Sequence, residues 1–319
     1  MTPQTAADPP AGAVTCEPFA PPADGPRLLP LPDLLGALLD EAEADHAAAL
    51  AGALRGPITG LPKLDRELAG RLVPGYHVIH GNTGSGKTSF ALQVAASCGY
   101  PALFVTCEMG PLELLRRVIA RAAGVYLGRL KSGEYTREAF AEYARAALAA
   151  CPGLALLDAT RAYAPRELIR AAAEAWRERR GAASCLVVID SLHSWANAAP
   201  SLRDLGEYET LGFAVSDLQR LAAELAAPIL VVNERNRASS DGGGVNAAAG
   251  SRKIEYGAES VWGLYRETET DETTRKPRPK PFDAAGEVGA HIAIEKNRSG
   301  SGGRVALRFH GALQTWREV

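Results

Sequence analysis

Two periods of hydrophobic and polar residues alternate along this chain. Short apolar runs, Tyr76–His80, Ala102–Cys107, Leu154–Asp158, Cys185–Asp190 and Pro228–Asn233, have the length and character of buried strands. Most are separated by segments with helical spacing: Lys87–Ser97, Pro111–Ala123, Arg137–Ala150, Pro165–Arg179 and Leu205–Leu225. Near-continuous apolar strands are covered on both faces, and an intervening helix supplies the crossover that parallel pairing needs. The pattern predicts an α/β fold with a mostly parallel, twisted sheet flanked by helices. The last third breaks the rhythm. Val261–Tyr265, His291–Glu295 and Val305–Phe309 have no long helix between them, which predicts antiparallel C-terminal strands. The polar, proline-rich stretch 266–287 reads as an exposed loop.

Ahead of this alternation, residues 1–26 are rich in proline and alanine without periodicity and read as a disordered tail. Within 27–55, Leu34, Leu35, Leu38, Leu39 and Ala42 form an apolar stripe opposed by Asp40, Glu41, Glu43 and Asp45, the mark of an amphipathic helix. The main domain is expected over 56–319.

Composition narrows the classes. The chain has 319 residues, 23% charged, with a formal net charge of -2. It therefore carries no overall basic footprint, and nucleic acid would have to meet a local patch. The five cysteines, Cys16, Cys98, Cys107, Cys151 and Cys185, contain no CxxC pair, which argues for reduced thiols and against a zinc site. No apolar stretch approaches the roughly 18 residues that span a bilayer. The N-terminus lacks the basic and apolar regions of a leader, so a cytoplasmic location is expected.

Chemistry concentrates after the first strand. Gly81, Asn82, Thr83, Gly84, Ser85, Gly86, Lys87 and Thr88 match the P-loop pattern, with the required strand before it and helix after it. Glycines let the backbone turn its N–H groups onto phosphates at the positive end of a helix dipole. Lys87 offers a point charge to the terminal phosphates of ATP, Thr88 a hydroxyl to Mg²⁺, and Ser89 completes the candidate nucleotide site. A carboxylate for the metal is expected at the end of a neighbouring strand, where Asp190 stands; its other reading is a helix N-cap. Hydrolysis also needs a group to deprotonate the attacking water. Ser191 occupies the position directly after Asp190, so Glu108 is the candidate base, on a second strand expected beside the P-loop strand. Its other reading is an acid interacting with a helix N-terminus.

These residues, in this order, resemble the C-terminal motor domain of the DnaB family of replicative helicases. The resemblance runs from about Leu31 to Trp316. It is carried by ITGLPKLDREL (58–68), TCEMGPLELLRRVIARAAGV (106–125), LVVIDSLH (186–193), LQRLAAELAAPILVVNERNR (218–237), SRKIEYGAESVWGLYR (251–266) and IEKNRSGSGGRVALRFHGALQTW (294–316). It implies a RecA-like fold, Glu108 as the catalytic carboxylate, and Lys296 and Arg298 reaching the γ-phosphate of a neighbouring subunit in a homo-oligomeric, hexameric ring. The other reading of that pair is a solvated turn.

The family's sensor glutamine falls at Glu234, which cannot donate a hydrogen bond to phosphate unless protonated; Arg235 or Arg237 could pair with it, or Glu234 could contact the metal shell. The resemblance implies no counterpart here of the family's helical N-terminal collar, and it makes the 27–55 helix the linker that docks onto the adjacent motor; the other reading is an intramolecular helix that covers its own domain. Single-stranded DNA is the implied substrate track. Segment 236–251, rich in Gly and Ser and flanked by Arg235, Arg237, Arg252 and Lys253, suits phosphate tracking without base readout; its other reading is an ordinary solvated loop. A primase or a helicase loader is a further implied partner. Two rival readings are a RadA-like recombination ATPase and a protein that uses ATP as an assembly switch without unwinding.

Overall fold

The computed structural model describes residues 28–234, 254–270, 275 and 277–319. The tail at 1–26, Cys16, segment 236–251 and Arg235, Arg237, Arg252 and Lys253 lie outside the described residues. The chain divides into two compact units, Met1–Ala53 and Leu54–Val319. In the first, α1 (Leu31–Ala51) begins with proline in its first turn and ends on Gly52 in a left-handed conformation, and none of its residues is buried.

The second unit is built on a nine-stranded sheet. In chain order its elements are α2 (Pro62–Glu67), β1 (Gly75–Gly81), α3 (Lys87–Ser97), β2 (Ala102–Thr106), α4 (Pro111–Ala123), α5 (Arg137–Ala150), β3 (Leu154–Asp158) and α6 (Arg166–Arg179). There follow β4 (Leu186–Asp190), α7 (Leu192–Ala198), α8 (Glu207–Leu225), β5 (Pro228–Glu234), β6 (Ser260–Arg266), β7 (Thr268–Thr270), β8 (Pro277–Pro279), β9 (Glu287–Asn297), β10 (Gly303–His310) and β11 (Thr315–Glu318). The sheet order is β11-β10-β9-β6-β1-β5-β4-β2-β3. From β6 through β3 every pairing is parallel; β6 to β9, β9 to β10 and β10 to β11 are antiparallel. This is a RecA-like sheet with an antiparallel C-terminal extension.

The two-residue period of the strands feeds two cores. Ile79, Leu186, Val188, Leu230 and Val232 face one layer with Phe90 and Leu114 from α3 and α4. Their neighbours Val78, Val187, Ile189, Ile229 and Val231 face the other, with Ile169, Trp195 and Leu218 from α6, α7 and α8. Each such aliphatic side chain contributes roughly 1.5–3 kcal/mol of burial, so a strand with apolar residues on both faces is fastened twice.

Three features depart from expectation. β2 does not lie beside the P-loop strand: β5 and β6 flank β1, and β4 and β5 separate it from β2. Stretch 266–287 is not wholly loop, since β7 and β8 pair as a ribbon. Charges hold that ribbon, with Arg278 2.9 Å from Glu269 and Lys280 2.8 Å from Glu267; lacking an apolar face, it has no hydrophobic signature. Finally, β11 closes the sheet through Trp316, an apolar residue in a run too short to read as a strand.

Candidate functional site

β1 delivers the chain to Gly81, and α3 starts at Lys87 with Gly86 as its N-cap at φ 96°. A side chain at Gly86 would meet the Trp316 ring at 2.6 Å, and one at Gly81 would meet the Leu264 carbonyl oxygen at 2.5 Å. Both glycines are therefore required by neighbours as well as by the turn. Lys87 is 6% exposed, and its ammonium donates to the carbonyls of Gly81 at 2.9 Å and Asn82 at 3.1 Å. Burial pushes its pKa down, opposed by the charges of Glu234, then Asp190 and Glu108.

Around this loop lies a cleft of about 280 Å³ lined by Gly84, Gly86, Lys87, Thr88, Ser89, Glu108, Met109, Arg117, Asp190, Ser191, Val232, Glu234, Phe309 and Gln314. Asp190 ends β4, 3% exposed. Burial raises its carboxyl to about 6, against a hydrogen bond from Thr88 and with the added repulsion of Glu108. It is not a cap: the side chain that caps α7 is Ser191, accepting from the Ser194 N–H. Glu108 stands before α4, whose N-cap is Gly110, and its carboxylate accepts from Ser191 and, at 2.6 Å, from Ser194. Though two strands separate β2 from β1, Glu108 reaches the cleft from beyond the end of β2, beside Asp190: the Cys107 N–H donates to the Asp190 carbonyl at 2.8 Å. Glu234 ends β5 in register with Gly81.

The remaining candidates lie elsewhere. Lys296, on β9, donates to the carbonyls of Glu255 at 3.0 Å and Tyr256 at 2.8 Å. Arg298 follows the strand and pairs with Glu259 at 2.9 Å. Neither lines the cleft of its own chain.

The site fits a nucleotide and a hard divalent cation. The buried Ser85 hydroxyl has no hydrogen-bond partner, and the glycine turn leaves the loop free of side-chain bulk. Thr88 and Asp190 place a hydroxyl beside a carboxylate. Among the described residues no three His, Cys, Asp or Glu side chains could hold a metal alone. Mg²⁺ takes one or two protein oxygens and fills its shell with phosphate and water, and the Thr88 hydroxyl beside the Asp190 carboxylate fits that need.

Sequence reasoning missed that Arg117 and Gln314 line the cleft and that the hydroxyls of Ser191 and Ser194 donate to Glu108. Arg117 donates to the Gln314 side chain at 2.5 Å. Its signal was available: it sits between Leu114 and Val118 on the apolar edge of an amphipathic helix, an unusual place for a cation. Gln314 had none, since only the fold of the C-terminal hairpin brings it to the cleft.

The family model of the DnaB-like helicase C terminal domain matches residues 56–318. The chain belongs to this family. DnaB-like relatives include the replicative DNA helicase DnaB of Haemophilus influenzae, 25% identical over 270 residues, covering 80% of this chain and 54% of that protein. The corresponding DnaB of Leifsonia xyli is 26% identical over 312 residues, covering 91% of this chain and 62% of that protein. The chain thus spans little more than half the length of these relatives. Among solved structures, a DnaB-like replicative helicase, described with its interactions with primase, superposes with a TM-score of 0.71 at 18% identity, covering 93% of this chain and 68% of that one. At that identity the likeness concerns the fold. Membership of the DnaB-like family sets aside the RadA-like reading.

Proposed function

We propose that this chain is the ATP-hydrolysing motor of a ring-forming DNA helicase that moves along single-stranded DNA during replication. The observation that carries the reading is the convergence of the P-loop, Asp190 and Glu108 on one cleft in a DnaB-like motor fold. The P-loop backbone and Lys87 hold the phosphates of ATP. Thr88 and Asp190 would hold Mg²⁺, which supplies charge neutralisation on the phosphates when bound. Glu108 accepts the proton of the attacking water. Lys296 and Arg298, turned away from their own cleft, act on the γ-phosphate bound by the next subunit of a hexameric ring. α1, with its leucines unburied, docks on the adjacent motor. Arg235, Arg237, Arg252 and Lys253 contact DNA phosphates. The protein works in the cytoplasm, with a primase or a helicase loader as a further partner; the relatives' names supply the replicative setting.

A second reading has one observation in its favour. Glu234 puts a carboxylate where a γ-phosphate contact is wanted, which suits a protein that binds ATP to assemble and turns it over slowly. ATP turnover with and without single-stranded oligonucleotide, together with unwinding of a forked duplex, separates the two. The motor reading expects DNA-stimulated turnover and unwinding, both abolished in Lys87→Ala. Assembly with ATP but no stimulation and no unwinding would establish the switch instead.

A further inference from the structure

Glu108 lies outside regular structure, past the end of β2, and is exposed, so nothing in its own backbone holds its flexible side chain. Two hydroxyls do. Ser191 and Ser194 both reach the same oxygen, Oε1, with Ser194 at 2.6 Å. The protons can be assigned without conflict. Each serine has one hydroxyl hydrogen and gives it to Glu108. The Ser191 oxygen then accepts the Ser194 N–H as the cap of α7. Among the described residues no other hydrogen bond reaches the carboxylate, which leaves Oε2 unengaged. Ser191 is 2% exposed and follows Asp190 directly, so the hydroxyls are anchored to the strand end that carries the metal-binding carboxylate.

We propose that Ser191 and Ser194 are positioning residues that clamp Glu108 through Oε1 and present Oε2 to the attacking water. The proposal rests on the reading of Glu108 as the base. A base must hold hydrogen-bond distance to the water it deprotonates, and an unrestrained glutamate spends most of its time elsewhere. Hydroxyls suit the task because they fix a carboxylate without the competing full charge that a lysine or arginine would bring. The clamp also ties the base to the segment that follows Asp190, so a shift of α7 would move Glu108.

Ser194 gives the cleaner test, because Ser191 caps α7 and its loss would weaken the helix as well. Ser194→Ala keeps that cap, which uses only the backbone N–H of residue 194. In the 319-residue chain we expect its saturating ATP turnover to fall roughly tenfold, the size of one lost hydrogen bond to a charged group. ATP affinity should stay within about twofold, because no hydrogen bond of this serine runs to the P-loop. Ser194→Thr retains the hydroxyl and should recover most of the turnover.

Single-turnover measurements in the Glu108→Gln background complete the cycle, and there Ser194→Ala should have no further effect. Undiminished turnover in Ser194→Ala overturns the clamp. So does an equal loss in the presence and absence of the Glu108 carboxylate, or a fall in affinity that matches the fall in rate, since either marks a general structural role. Full activity of Glu108→Gln itself would remove the base assignment, and the clamp with it; that outcome is distinct from a failure confined to Ser194.

Discussion

At Asp190 burial sets a carboxylate's charge against the stability of the fold. Its carboxyl titrates at about 6 in the folded cleft against 3.8 for the free group, because burial disfavours the charge. A raised acid stabilises the fold when protonated. Its contribution is complete below about pH 4 and is lost as pH rises through about 6. At neutral pH the nucleotide-free protein therefore holds a buried charge at a penalty of about 3 kcal/mol. Asp190→Asn removes the charge and keeps the shape. Thermal unfolding at pH 7.5 without nucleotide should show the variant more stable than the native protein, with the difference shrinking toward pH 4.5. With Mg²⁺ and ATP the order should reverse, and turnover should be lost. A variant less stable than the native protein in the nucleotide-free state at pH 7.5 would refute this account.

Among the elements, the C-terminal hairpin does the least expected work. β11 runs along α3: Gln93 donates to the Trp316 carbonyl and accepts from its N–H, both at 2.8 Å, and Ser89 donates to the Gln314 carbonyl at 3.3 Å. The Trp316 ring stacks on Phe309 with centroids 4.3 Å apart and meets Phe90 edge-on at 5.7 Å. The same ring faces Gly86 in the P-loop. The last strand thus braces the helix whose first residue is Lys87. Trp316→Ala should cost about 3–5 kcal/mol in denaturant unfolding. It should also weaken ATP binding beyond what Trp316→Phe does, because a void opens behind Gly86. Unfolding near the native midpoint with unchanged nucleotide affinity would show that the hairpin merely covers the sheet.

In the molecule as a whole, Lys296 and Arg298 fail to meet the cleft their own chain builds, and α1 has leucines at 41–62% exposure (Leu34, Leu35, Leu38 and Leu39). Both facts suit a protein completed by its neighbours. Replacing Leu35 and Leu38 by Asp should leave the motor folded but prevent assembly. Mass measurement in solution with an ATP analogue and an oligonucleotide checks this, and an unchanged assembly would remove α1 from the interface. Doping native protein with Arg298→Ala should reduce turnover more steeply than the doped fraction, since in the proposed ring each altered copy would disable an adjacent site. A strictly proportional loss would return Arg298 to its own subunit.

Local physics made the P-loop, the strands and the long helices legible in the sequence. The P-loop pattern is a property of eight consecutive residues, Gly81 to Thr88, and the apolar periods of β1, β5 and α3 mark their edges to within a residue. Asp190 and Glu108 were also legible, as carboxylates at strand ends. Where such segments meet was not. β2 stands two strands away from β1 because β4 and β5, both apolar on two faces, take the central places, and no pattern within a strand encodes its rank in a sheet. The serines on Glu108 are more than 80 residues from it along the chain, and Gln314 is 197 residues from Arg117. Hydroxyls and amides carry no periodic signal, and their partners are chosen by the packing of helices and strands around them. Residue order and local pattern therefore specify which chemical groups are present and which strands and helices carry them; long-range packing determines which groups hold one another in place.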